Sequence, residues 1–341
     1  MATSEPVDPN PLPPAERKLL KVRLRRLEDA EESYKTAIAN LAALAERSVP
    51  NSPVAKGEVR VRETFAFSPE PAPEDSSDRK LPPKEFWPPA GRLVTPRGAA
   101  LKLMLIALFE AQTRTRPGRR PDNPRPLHGR RNEIAWADLL ATDAKPALGG
   151  KTVMSVPAKK ARHLFSALEL MRTQDLLQVP NPDAQKRKHE GFLLNDEGGK
   201  RVSGPNDLYT VPAKKKDEFF TLPLGLFTHG WIHALEDRDL RYLLMLCRYH
   251  KGAPPEGFRV NAWVRLRHMA IGPDIYERHH WFTRFGLNAV TPDDGRRDDG
   301  TFDDYSKGRK AIPHTLQLLP EGFERDGLRV VTRVIDDLVN S

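Results

Sequence analysis

A single cysteine, Cys247, in a chain of 341 residues excludes an internal disulfide framework and a zinc site built on cysteines. No run of 18 apolar residues occurs, so no membrane-spanning helix is expected. The opening stretch, MATSEPVDPNPLPP, has neither a basic start nor an apolar segment, and no signal peptide is expected. Catalytic signatures are missing too. There is no phosphate loop G-x-x-x-x-G-K-[ST], no nucleophile elbow G-x-S-x-G and no dinucleotide fingerprint G-x-G-x-x-G. His229 and His233 are four apart, but Gly230 stands where a zincin needs glutamate. The H-x-H pair of a tyrosine relaxase is absent. His268, His279 and His280 could meet Asp274 or Glu277 around a metal, yet amphipathic packing explains that stretch without one. Cys247 falls on an apolar helix face and reads as core. The sequence thus predicts a non-enzyme without cofactor or metal, placed in the cytoplasm.

Proline and positive charge are in excess. The 32 prolines are nearly twice the roughly 5% of an average chain. Lys and Arg total 55 against 46 Asp and Glu, giving a net charge of +9 and a pI near 9.6. The excess is not spread evenly. Residues 1–90 carry 14 basic and 15 acidic side chains, residues 91–220 carry 24 and 14, and residues 221–341 carry 17 of each. A basic surplus confined to the middle third is the footprint of a polyanion binder, nucleic acid above all.

Periodicity divides the chain further. Residues 1–14 are polar and Pro-rich and predict a disordered tail. Residues 15–47 lack Pro and Gly and predict one long helix, opened by Pro14 and closed by Pro50. Along it Leu20, Leu24, Leu27, Glu31, Tyr34, Ile38, Leu41 and Ala45 alternate spacings of four and three, the seam of a coiled coil. That seam needs a cover: a second copy of the chain, a foreign partner, or the protein's own later units. Residues 48–93 have linker composition, with a short strand-like alternation at Val59, Val61 and Phe65. From Val94 come a buried helix to about Gln112, a short helix around Trp136, a helix from Pro157 to about Asp175, and strands at Leu176–Val179 and Gly191–Leu194. The same order returns after residue 220: a helix around Leu240–Cys247, a strand or short helix at Val260–Met269, a helix from Pro273 to Leu287, and strands at Asn288–Val290 and Ile312–Leu319. Residues 321–341 predict a C-terminal helix or tail.

Helix, short helix, helix, strand, polar loop, strand is the order of a winged helix-turn-helix, whose third helix enters a DNA groove. The expected fold is therefore mainly α (α+β): two tandem winged-helix units, at 94–220 and 221–320, behind a long N-terminal helix and a Pro-rich linker. This layout resembles the tandem winged-helix initiators of plasmid replication, and FFTLPLGLFTHGWIHALEDRDLRYLLML is similar to proteins of actinobacterial mobile elements. The resemblance covers roughly residues 94–320, rests on element order, and implies binding to double-stranded DNA in replication initiation or maintenance. It carries no family-specific residues.

Candidate contacts come from the residues themselves. In the third helix of the first unit, Ala161, Leu164, Phe165, Leu168 and Met171 share one face, leaving Lys159, Lys160, Arg162, His163 and Ser166 outward near its N-terminus, where base edges are read. The loop RTRPGRRPDNPRPLHGRR holds Arg114, Arg116, Arg119, Arg120, Arg125, Arg130 and Arg131 against one acid, Asp122, and predicts an extended arm along phosphates or a narrow minor groove. Lys186, Arg187 and Lys188 sit in the expected wing. In the second unit Arg278, His280 and Arg284, with Arg296, Arg297, Arg309 and Lys310 in its wing, are candidates among many acids. That unit can contact DNA or protein, including replication or transcription machinery. A DNA binder of this kind is expected in the cytoplasm, associated with the nucleoid, and two other functions fit the same pattern: a winged-helix transcriptional regulator, and a non-enzymatic adaptor binding RNA or acidic protein.

Overall fold

The computed structural model describes residues 13–70, 80–95, 98–129, 133–141, 155–184, 187–200, 206–292 and 312–340. Across them the fold is mixed α+β, helix-rich, with three two-stranded antiparallel sheets.

The centre of the fold is a helix, α5 (Ala100–Arg114). Its sequence, ALKLMLIALFEAQTR, has no polar face, and all of it except Lys102 and Arg114 is buried. A helix that is apolar all round must be covered all round. On one side lies α7 (Val156–Thr173), which turns Leu164, Ala167, Leu168 and Met171 inward. Between them the chain forms α6 (Trp136–Leu139), and after α7 come β2 (Leu177–Gln178) and β3 (Leu193–Leu194), with Leu177 opposite Leu194. This is the order the sequence predicts for the first unit.

On another side of α5 lies β1 (Glu58–Arg62), from the stretch expected to be a linker. It pairs with β4 (Phe219–Pro223), with Val59 opposite Leu222 and Val61 opposite Phe220. Gln112 of α5 bonds the remaining edge: its side-chain amide accepts from Arg60 N (2.9 Å) and donates to Arg60 O (2.7 Å). Residues 58–66 are thus part of the core, continued by α3 (Glu63–Ala66). The strand-like alternation at Val59 and Val61 is thus a core strand, and the flanking prolines are what give the stretch a linker's composition; Phe65 falls in α3. A further turn, α4 (Pro89–Arg92), is buried over Pro89, Ala90 and Gly91.

The second half follows β4 with α8 (Gly225–Thr228), α9 (Trp231–Ala234), α10 (Asp237–His250) and α11 (Ala262–Met269). The single helix expected from Pro273 to Leu287 is two, α12 (Pro273–Tyr276) and α13 (His279–Phe285). The break falls at Glu277 and Arg278, where Arg278 turns to the buried carboxylate of Asp239. Strands β5 (Asn288–Thr291) and β6 (Thr315–Leu318) pair antiparallel, and α14 (Gly327–Asn340) closes the fold.

The long N-terminal helix is also two, α1 (Pro14–Asp29) and α2 (Glu31–Glu46), hinged at Ala30 (φ −103°, ψ 3°). The hinge lets α1 lie on α14 while α2 lies on α6 and α8. Leu20, Leu27 and Leu41 of the expected coiled-coil seam are buried by these contacts, and Leu24, Tyr34 and Ile38 are half-buried. Of the three covers the sequence leaves open for this seam, the chain's own α6, α8 and α14 supply one. Gly230, the residue that spoils the zincin pattern, has φ +79°, and a side chain there would collide with Ile38. One hydrophobic core runs from Leu20 to Val339 through both halves. Among the described residues no helix is long and apolar enough to cross a membrane.

Candidate nucleic-acid interface

Helix α7 begins on a cap. Ser155 Oγ accepts from Ala158 N (3.4 Å), and Pro157 lies in the first turn, where its missing N–H costs nothing. With the buried face fixed on α5, Arg162 and Ser166 are exposed and Lys159, Lys160 and His163 half-buried. Phe165 departs from expectation. It lies one position round from the buried Leu164 and is 37% exposed. Its ring meets His128 of the arginine-rich loop edge-on (5.6 Å) and His189, between β2 and β3, at 6.0 Å. Loop, helix and strand connection therefore converge around one half-open aromatic ring. Helical periodicity alone could not place it, because both rings that flank it come from other elements.

The loop from Arg114 is held down rather than free. Asn123 accepts from Trp136 Nε1 (3.1 Å) and donates to Phe192 O (2.8 Å), and Gly118 N and Val211 N bond across to Val211 O and Arg119 O. Two of its arginines are structural. Glu110, buried inside α5, pairs with Arg114 (3.0 Å) and Arg125 (3.0 Å), and Arg114 also meets Asp122 (2.9 Å). A buried carboxylate must be compensated, and these two guanidinium groups do it. Arg116 is exposed and donates to Pro50 O (3.2 Å), and Arg119 and Arg120 are exposed. Arg130 and Arg131 lie outside the described residues.

At the strand connection Arg187 is exposed, with φ +59°. Lys188 instead pairs with Glu169 of α7 (3.7 Å), as does His189 (3.3 Å). Arg172 bonds the same carboxylate (2.5 Å) and, as the main cause, holds Glu169 down to about 2. Lys186 lies outside the described residues. Of the predicted set, Arg116, Arg119, Arg120, Arg162, Ser166 and Arg187 are exposed and Lys159, Lys160 and His163 half-buried, and Phe165 and His128 lie among them.

The second half treats its candidates differently. Arg278 bonds Asp239 (2.5 Å), a carboxylate with no exposure, and approaches Glu236 (3.7 Å). Arg23 of α1 reaches the same Asp239 (3.3 Å) and donates to Ala234 O (3.1 Å). Arg278 is therefore a core ion-pair partner and not a phosphate contact. Burial pushes the Asp239 carboxyl up, but Arg278 and Arg23 outweigh it and keep it below its usual range. Arg284 lies over Trp281 (5.8 Å), and His280 is exposed. Arg296, Arg297, Arg309 and Lys310 lie outside the described residues. Of the histidines considered for a metal, His268 bonds Ser68 O (2.7 Å) and stacks on Phe67 (4.6 Å), while His279 and His280 lie against each other (3.9 Å). Among the described residues no three His, Cys, Asp or Glu side chains converge as a metal site. No protein family matches the chain, and neither a curated protein nor a solved structure matches it.

Proposed function

We propose that this is a non-catalytic protein that binds double-stranded DNA through α7, the β2–β3 connection and the loop after α5. One observation carries the reading. A capped helix with cations on its outer face is followed directly by an antiparallel pair of strands, in the stretch that holds the chain's whole basic excess. In a winged helix that third helix enters the major groove and the strand connection touches the neighbouring backbone. Arg162 and Ser166 are then placed toward base edges, and Arg119, Arg120 and Arg187 toward phosphates. The layout-level resemblance to plasmid replication initiators makes initiation or maintenance of a mobile element the role we attach to this binding.

Sequencing the genomic DNA that copurifies with the protein tests both parts. Enrichment of repeated sites beside the gene supports initiation, and a single site upstream of its own start turns the role to regulation. Copurifying RNA in place of DNA overturns the reading. So does a labelled duplex whose affinity is unchanged by Arg162→Ala combined with Arg119→Ala and Arg120→Ala.

A further inference from the structure

Among the described residues five large apolar side chains are exposed, and Phe165 is the one that lies on α7. Its neighbours on the outer face are polar. Arg162 is one helical turn before it and Ser166 one position after, both exposed. The acid one turn further on, Glu169, is engaged by Arg172 (2.5 Å) and Lys188 (3.7 Å). A phenyl ring has no hydrogen bond to offer a phosphate, and left in water it forgoes the energy of burial.

The place of the ring is set by two other elements. Its centroid is 5.6 Å from that of His128, with the planes at 75°, and 6.0 Å from that of His189, tilted by 33°. His189 is buried and lies 3.3 Å from the Glu169 carboxylate, so it is a fixed support. With both contacts made, Phe165 is still 37% exposed. What remains open is an apolar spot beside Arg162 and Ser166, on the helix face that carries the cations.

In the major groove the bases present hydrogen-bond donors, acceptors and one methyl group, that of thymine. Resting on the reading of α7 as the helix that enters this groove, we propose that Phe165 selects thymine by contact with its methyl group. One helical turn is about 5.4 Å and one base-pair step about 3.4 Å, so this thymine lies one or two base pairs from the pair that Arg162 addresses. The contact also separates DNA from RNA, because uracil lacks the methyl group and side chains cannot read the deep, narrow major groove of A-form RNA.

The test selects a duplex from a random pool with the full chain, then replaces each thymine of the selected site singly by deoxyuridine, which removes the methyl group alone. In wild type, one or two thymines are expected to show about fourfold weaker binding by fluorescence anisotropy, the worth of one buried methyl group. They should lie within about two base pairs of the pair at which Arg162→Ala loses discrimination. Phe165→Ala is expected to bind the thymine and deoxyuridine duplexes alike, and Phe165→Leu to keep a difference. A selected duplex indifferent to every replacement overturns the proposal and leaves duplex binding standing. A methyl effect that survives in full in Phe165→Ala does the same. Failure to enrich any duplex overturns the binding reading, and this inference with it.

Discussion

The two halves of the molecule run through a similar succession of elements but dispose the arginines expected at a DNA surface differently. In the first half Arg116, Arg119, Arg120, Arg162 and Arg187 face solvent, while Arg114 and Arg125 are tied to the buried Glu110 and Arg62 to the buried Glu197. In the second half Arg278 is tied to Asp239, Arg241 donates to Met269 O (3.1 Å) and Ala270 O (2.5 Å), and Arg325 bonds the carbonyls of Phe285 and Gly286. The difference lies in where the acids are. Asp239 has no exposure and recruits guanidinium groups from α1 and the α12–α13 turn. An arginine count therefore does not locate an interface; the burial of the carboxylates does.

The comparison breaks most sharply at Arg278 and Arg162. Arg278→Ala leaves Asp239 buried with Arg23 as its remaining close guanidinium, and removing one partner of a buried pair costs about 3–5 kcal/mol. Urea denaturation should show that loss for Arg278→Ala and less than about 0.5 kcal/mol for the exposed Arg162→Ala. Equal losses would erase the distinction between the halves.

A second contrast is pH. His233 is buried beside Lys102, and burial first, then the Lys102 charge, holds it down to about 3. Between that value and the 6.5 of an unfolded histidine, the unfolded chain binds a proton that the folded chain refuses. Stability from this group is therefore complete above about pH 6.5 and falls as pH drops below it. Asp237, pushed up to about 6 by burial, acts in the opposite sense between its ordinary 3.8 and 6, so the whole protein's pH curve is flatter than either group's. The variant isolates one of them. Relative to wild type, His233→Leu should gain about 2 kcal/mol on going from pH 7.5 to pH 5. A constant gap would remove His233 from the account.

Smaller effects sharpen the first half. Arg162→Ala should lower affinity for a preferred duplex over a scrambled one by about tenfold, roughly 1.4 kcal/mol, if the side chain meets a base edge. Equal weakening of both duplexes would assign it to phosphate. Arg119→Ala and Arg120→Ala should each flatten the slope of log K against log salt by about 0.9, while Arg125→Ala should lower stability through Glu110. An unchanged slope in both loop variants would remove the loop from the interface.

Much of the local structure was legible. The largely apolar α5, the amphipathic α7 and the paired β2 and β3 follow from periodicity, and the helix at 327–340 falls within the stretch 321–341 expected to be a helix or tail. The hidden features are those decided by partners far along the chain. β1 looks like part of a spacer until β4 lies against it, and the seam of α1 and α2 leaves its cover open, to which α14 and α8 contribute from far along the chain. Glu110 sits in a helix that reads as pure core, so nothing nearby announces that it neutralises two arginines of the loop. The open ring of Phe165 depends on His128 and His189 in the same way.

The covering of α1 has a consequence for how the chain is born. Synthesis runs from the N-terminal side, so α1, α2 and β1 leave the ribosome before any of the surfaces that bury them exist. β1 must wait for β4, and Arg23 for Ala234, 211 positions later, while α1 waits for α14. Contacts that close such long loops form slowly. Until then Leu20, Leu27, Val59 and Val61 face water on a nascent chain, the kind of exposure that attracts chaperones. A segment made early is thus among the last to be secured.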